Sequence, residues 1–249
     1  VGVTIGTVEL GEIPRVVLVL SDRNLKDALS LARHLRLDLV ELRVDLFADC
    51  KGLEAIRSCL DTIAEFGFYS ILTIRPGWEG GRFTEEESVR LQLFKALISH
   101  PGVGSVDIEL KAQILPAVRE IAKAHRKPLI VSYHNFENVP PQSQILEILE
   151  KAKNLGADIV KVAFTAKDLE SAQRLCCAVS VFKHPKVFMA MGSAGMFTRV
   201  VGFSFGSLLT YTFFGKPTAP GQVPAEKLVK LLHGLYPDYH ARKAGCFVG

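Results

Sequence analysis

A lysine and a histidine near the carboxyl ends of two apolar runs are the residues best placed to do chemistry. Lys161 sits within Ala157-Asp158-Ile159-Val160-Lys161-Val162-Ala163-Phe164, and His134 closes Pro128-Leu129-Ile130-Val131-Ser132-Tyr133-His134. Burying an ammonium group without a partner is costly, and desolvation lowers its pKa toward the neutral amine. A neutral amine attacks a carbonyl carbon and condenses to a Schiff base. An imidazole titrates near neutral pH and suits proton transfer beside that amine. Each residue alone has a plainer reading. The lysine stem can pack while its head reaches water, and a lone strand-end histidine is commonly a structural donor. The two together, on strand ends that share one face, favour catalysis.

Other polar residues recur at equivalent places. Ser21 follows the first apolar run, Glu41 and Arg43 stand two apart, and Arg75, Glu109 and Met191 close later runs. Glu41 and Arg43 share one face of a strand, where a structural ion pair is an equally open reading. Arg43, Arg75 and Arg199 could pair with carboxylates, grip a substrate carboxylate as a fork, or donate to hydroxyls. Their charge would further favour a neutral Lys161, with Glu41 and Asp45 available to offset it. Glu79, within Arg75-Pro76-Gly77-Trp78-Glu79-Gly80-Gly81, could orient the imidazole or stand as a solvated loop carboxylate. The glycines beside it let a loop approach a ligand closely. Histidines 34, 100, 125, 184 and 233 fall on helical patterns and read as surface or capping residues. No metal-ligand spacing stands out, so a site without metal or cofactor is expected.

These residues need a frame. Apolar runs rich in Val, Ile, Leu and Phe predict strands over residues 16–20, 39–43, 70–75, 106–110, 129–134, 159–164, 187–191 and 208–213. Helical periodicity predicts helices over 24–35, 53–66, 85–99, 114–124, 143–155, 169–182, 197–203 and 225–235. Eight strands each followed by a helix in about 250 residues is the pattern of an α/β chain folded as a (β/α)₈ TIM barrel. Active sites of that fold lie at the carboxyl ends of the strands, where the polar residues gather. A doubly wound sheet rarely repeats its unit eight times, and no Gly-x-Gly-x-x-Gly follows the first strand. Residues 1–14 read as an N-terminal hairpin closing the amino-terminal mouth. The whole of 1–249 reads as one barrel domain, with 240–249 unassigned.

Composition sets outer bounds. The 249 residues are 48% hydrophobic with a net charge of +4, and the basic residues are scattered. The short cluster His240-Ala241-Arg242-Lys243 is no basic stripe with interleaved aromatics, so nucleic acid is not expected as a partner. No apolar stretch is long enough for a membrane span. Five cysteines, Cys50, Cys59, Cys176, Cys177 and Cys246, form no C-x-x-C pair and suggest neither a disulfide framework nor a zinc site. The amino terminus lacks a basic segment and a long apolar core, so a cytoplasmic setting is expected. A chain that starts at Val1 without methionine points to a processed or trimmed polypeptide.

The order and spacing of these residues resemble the type I 3-dehydroquinate dehydratases, Schiff-base enzymes of the shikimate pathway. The resemblance runs over nearly the whole chain. It rests on Val40-Glu41-Leu42-Arg43-Val44-Asp45, Thr73-Ile74-Arg75, Ser132-Tyr133-His134, Lys161-Val162-Ala163 and the segment 207–222. It implies that Lys161 forms an imine with the C3 ketone of 3-dehydroquinate. His134 would then remove the C2 proton and later protonate the departing C1 hydroxyl, with Glu79 holding the imidazole. Arg199 and Gln222 would take the carboxylate side, and Glu41, Arg43 and Arg75 the ring hydroxyls, with Ser21 close by. Met191 and Tyr211 would wall the ring, and the loop carrying Thr218 and Gln222 would close as a lid. A homodimer is implied as well. Thr218 stands where serine is common and Tyr211 where phenylalanine is common; neither change removes a catalytic group.

Two other readings compete. A class I aldolase barrel also needs a lysine on the sixth strand, and Met191-Gly192-Ser193-Ala194-Gly195-Met196 could hold its substrate's phosphate. The segment 218–222 argues against it. A barrel that only binds an anionic metabolite would have no need of both Lys161 and His134.

Overall fold

The structure, a computed structural model, describes residues 2–20, 24–47 and 52–244. Two short strands, β1 (Thr4–Ile5) and β2 (Val8–Glu9), precede β3 (Arg15–Leu20), α1 (Leu25–His34), β4 (Leu39–Arg43), α2 (Leu53–Glu65) and β5 (Ser70–Thr73). There follow α3 (Glu87–Leu97), β6 (Val103–Glu109), α4 (Leu115–Ala124), β7 (Leu129–Asn135), α5 (Gln142–Asn154) and β8 (Ile159–Thr165). The chain continues through α6 (Leu169–Val181), β9 (Lys186–Met191), α7 (Thr198–Val201), β10 (Leu209–Phe213), β11 (Val223–Pro224), α8 (Ala225–Leu235) and α9 (Pro237–Ala244).

Strands β3 to β9 pair in parallel in sequence order, and β10 pairs with β3. The ring closes between β9 and β10 through a bridge of Lys186 with Ser207. There the Leu208 N–H donates to the Lys186 carbonyl at 2.8 Å, and the Phe188 N–H to Ser207 Oγ at 3.1 Å. The result is the predicted eight-stranded barrel. Strand residues alternate between two buried faces, as parallel strands covered by helices require. One set, including Val16, Leu18, Val40, Leu42, Val160 and Val162, packs on the helices. The other set points inward and starts apolar at the amino-terminal end, with Val17, Leu39, Ile71, Ile130, Ile159, Val187 and Leu209.

The N-terminal hairpin closes that end. Ile5 and Leu10 pack into the same inner cluster, so β1 and β2 plug the mouth as the sequence predicts. Gly104 on β6 permits the approach, because a Cβ there would stand 2.8 Å from both Ile5 Cγ2 and Tyr69 Cβ.

Several boundaries differ from expectation, among them the end of β5 at Thr73 rather than 75, which leaves Arg75 in the following loop. β6 begins at Val103 rather than 106, since Val103, Gly104 and Ser105 read as a turn yet are buried beneath the hairpin and Tyr69. The helix expected over 197–203 is only Thr198–Val201, tightening to a 3₁₀ turn over Gly202–Phe205. The tail left unassigned is helical as far as Ala244, where α9 buries Tyr239 completely, and residues 245–249 lie outside the described residues.

Candidate active site

Inward positions turn polar toward the carboxyl ends of the strands. Glu41, Arg43, Arg75, His134, Lys161, Met191, Arg199, Tyr211, Thr218 and Gln222 line one cleft of about 60 Å³, joined by Val19, Ala163, Met189 and Ala219. The strand register places Ser132 opposite Lys161 and His134 opposite Ala163, so lysine and histidine share one face. Of the residues proposed from sequence, Glu79 stands behind His134, and Ser21 lies outside the described residues. A larger groove of about 720 Å³ opens at the opposite end, beside the hairpin. It is lined by Arg119, Lys123, Arg126 and Lys127 and holds no nucleophile with a base beside it.

Lys161 is buried, and its Nζ donates to Asp107 Oδ2 at 2.9 Å and to Glu41 Oε1 at 3.2 Å. The Nζ also lies 4.2 Å from the Tyr211 ring centroid, a cation–π arrangement. Burial works against the charge, but Asp107 and Glu41 outweigh it, so the Lys161 pKa is raised. The expectation of a neutral resting amine is therefore corrected. Two of the arginines that would have discharged Lys161, Arg43 and Arg75, are themselves neutralised by carboxylates.

Arg75 illustrates this. Its guanidinium donates to Glu109 Oε1 at 2.6 Å, Asp107 Oδ1 at 2.8 Å and Ser132 Oγ at 2.8 Å, and it lies 3.8 Å from Glu79. Arg90, fully buried on α3, donates to the other oxygen of Glu109 at 2.5 Å. Arg43 forks onto Asp45 at 2.8 and 2.7 Å. Asp45 in turn accepts the backbone N–H groups of Arg75 and Arg82 at 3.1 Å, tying the loop after β5 to the end of β4.

Arg199 differs from the others. Among the described residues it is buried with no carboxylate partner, donating only to the Pro220 carbonyl at 3.2 Å and to Met189 Sδ at 3.8 Å, and its Nε has no partner there. Burial pulls its pKa down to about 10. An uncompensated buried cation facing a cleft is a place for an anion.

His134 Nδ1 stands 3.0 Å from Glu79 Oε2, while Nε2 makes no hydrogen bond with the described residues. Burial, together with the charges of Arg75 and Lys161, holds the His134 pKa well below its ordinary value. Burial pushes the Glu79 carboxyl up to about 8, against the opposing pull of Arg75. Glu79 ends a 3₁₀ turn, Gly77–Glu79, followed by Gly80 at φ +78°. The Phe136 ring covers Gly80, where a Cβ would stand 2.3 Å from it, and stacks on His134 at 6.3 Å.

The loop after β10 is organised by Gln222. Its Oε1 accepts from the Thr218 N–H at 2.7 Å and the Ala219 N–H at 3.2 Å, and its Nε2 donates to Thr218 Oγ1 at 3.0 Å. The threonine thus keeps the hydroxyl contact, with its methyl accommodated. The glycine-rich segment after β9 supports this loop rather than standing open for a phosphate. A Cβ on Gly221 would stand 2.5 Å from the Gly192 carbonyl oxygen. The Tyr211 hydroxyl is buried with no hydrogen-bond partner among the described residues.

Sequence reasoning missed Asp107 and Arg90. The signal for Asp107 was present: it stands two before Glu109 in Val106-Asp107-Ile108-Glu109, so both face the barrel interior. Arg90 lies on a helix whose pattern gives no sign that its side chain reaches under the sheet.

Comparison with known proteins places the chain by family and fold. The family model for type I 3-dehydroquinase matches residues 16–238. A 3-dehydroquinate dehydratase of Hydrogenobaculum sp. (strain Y04AAS1) is 37% identical over 89% of this chain and 99% of that protein. The crystal structure of the 3-dehydroquinate dehydratase from Aquifex aeolicus VF5 is 36% identical with a TM-score of 0.81, covering 89% of this chain and 99% of the other. The type I enzyme from Clostridium difficile, solved with covalent modified comenic acid, is 25% identical with a TM-score of 0.86 over 95% and 98% of the two chains. The chain belongs to the type I 3-dehydroquinase family.

Proposed function

We infer that the chain removes water from 3-dehydroquinate to give 3-dehydroshikimate, the hydro-lyase step of the shikimate pathway that its family and relatives carry. The reaction runs through an imine on Lys161. The observation that carries this reading is the buried Lys161 in one cleft with a His134 held by Glu79. Elimination beside a carbonyl needs a sink for the C2 electron pair and a positioned base. The iminium supplies the sink, so the reading calls for no metal or dissociable cofactor.

His134 Nε2 takes the C2 proton and afterwards delivers a proton to the departing C1 hydroxyl. The Glu79 contact suits both duties. An ionised Glu79 accepts the Nδ1 proton and leaves Nε2 as a base; a protonated Glu79 donates to Nδ1 and leaves the proton on Nε2. Arg199 receives the substrate carboxylate with Gln222, while Glu41, Arg43 and Arg75 face the ring hydroxyls, and Ser21 is kept in the binding set on the resemblance. Met191 and Tyr211 wall the ring. The loop over residues 218–222, which lines the cleft with Thr218, Ala219 and Gln222, closes over the bound ring as a lid.

A homodimer, supported by the resemblance, completes the proposal, together with the cytoplasmic location expected from the sequence. Among the described residues no helix is long and apolar enough to cross a membrane. The test is direct: incubation with 3-dehydroquinate yields the conjugated product, followed by its ultraviolet absorbance. Intact substrate after incubation with folded protein overturns the assignment.

A further inference from the structure

The two acceptors on Lys161 are held in different ways. Asp107 is fully buried and is not part of the cleft wall. Its Oδ1 accepts from Arg75 at 2.8 Å and from Ser132 Oγ at 2.6 Å, while Oδ2 faces Lys161. Glu41 does line the cleft. Its Oε1 accepts from Thr73 and Lys161, and its Oε2 makes no hydrogen bond with the described residues. A ligand can engage Glu41 but cannot reach Asp107.

Imine formation makes this difference matter. The ammonium first passes one proton on, which exposes its lone pair, and the amine adds to the ketone. The C–N bond forms, the C–O bond breaks, and the oxygen leaves as water carrying that proton and a second from the nitrogen. Overall an ammonium and a ketone give a protonated iminium and one water. The nitrogen is cationic before and after, and no proton is released. Loss of the C2 proton then leaves its electron pair as a C2=C3 double bond while the C=N pair moves onto nitrogen, giving a neutral enamine. That pair returns to expel the C1 oxygen, which leaves as water with a proton from His134. The nitrogen must keep its last proton throughout, because a neutral imine is a poor sink.

We propose that Asp107 is the permanent counter-ion of the Lys161 nitrogen, a positioning residue that holds it cationic as ammonium and then as iminium, while Glu41 turns to the substrate. This rests on the imine reading above. The groups facing the nitrogen are Asp107 on β6, Glu41 on β4, Arg75 after β5, His134 on β7 and Tyr211 on β10. Among the described residues, Asp107 and Glu41 are the carboxylates that accept hydrogen bonds from it.

The experiment compares the chain with its Asp107→Asn variant, using cyanoborohydride, which reduces a protonated iminium but spares a neutral imine. Trapping of 3-dehydroquinate on Lys161 is followed by mass from mildly acid to mildly alkaline pH. The wild-type rate should stay flat, and the Asn variant should fall about ten- to hundredfold at the alkaline end, as loss of a charged hydrogen bond demands. Wild-type trapping with an identical curve for the variant overturns the proposal alone. If the variant does not fold, the wild-type curve decides: a flat curve supports the proposal, and a fall across neutral pH overturns it. No wild-type adduct at any pH overturns the imine reading and this proposal with it.

Discussion

At the residue scale, the site is defined by how each charge is answered. Lys161 is held as an ammonium by Asp107 and Glu41, and Arg75 is spent on Asp107, Glu109 and Ser132. Arg199 is left without a carboxylate, ready for one brought by substrate. The Glu79–His134 pair carries a pH prediction. His134 has its pKa depressed, so it is neutral across the physiological range, and Glu79 loses its proton only near pH 8. Nε2 becomes a free base as Glu79 ionises, so kcat/KM should rise with pH through about 8. Glu79→Gln should remove that inflection. It should also lower the rate by less than the ~10²–10⁴-fold that general acid–base catalysis contributes, since the imidazole itself remains. An unchanged pH profile in the Gln variant would refute the assignment. Lysine and histidine were legible from sequence because a polar residue near the end of an apolar run stands out. Asp107 carried a signal too, two residues before Glu109 on the same inward face, but its role depends on Arg75, Ser132 and Lys161, which only the barrel brings to it.

At the element scale, the barrel brings residues from seven strands or their loops to one end, and the hairpin seals the other. The alternation of inward and outward residues follows from strand geometry, which is why the eight strands and their faces could be read directly. Boundaries were less legible where small residues are buried by something distant in sequence. Gly104 looks like a turn residue, yet it lies in β6 because Ile5 and Tyr69 press against it. Gly104→Ala should therefore destabilise the fold by about 1–3 kcal/mol through overpacking. The expected readout is a lower Tm with kcat little changed, because the hairpin lies at the end of the barrel away from Lys161. A Tm equal to wild type would mean that the hairpin does not seat on β6 as described. The helix α9 escaped notice because eight residues offer too short a period, and its anchoring depends on burial of Tyr239.

For the whole molecule, a charged barrel interior makes stability depend on pH in a definite direction. Burial alone would raise the Asp107 pKa, but Arg75 and Lys161 more than offset it and hold the group below its ordinary value. Its contribution is thus fully present above the unfolded value of about 3.9 and is lost as pH falls toward the folded value, where the unfolded chain binds the extra proton. The thermal midpoint should drop as pH is lowered through about 4, and less steeply in Asp107→Asn; parallel slopes would contradict the claimed linkage. Fold class and family were legible from the chain because both rest on order and spacing, whereas the resting charge of Lys161 depends on partners up to 120 residues away in sequence. The account's central claim is covalent chemistry at that lysine. Intact mass after incubation with 3-dehydroquinate and borohydride, followed by peptide mapping, tests it most directly. One ligand-derived adduct is expected, located on Lys161 and absent from Lys161→Ala. Folded protein that turns over substrate yet gives no adduct, or an adduct on another lysine, would contradict it.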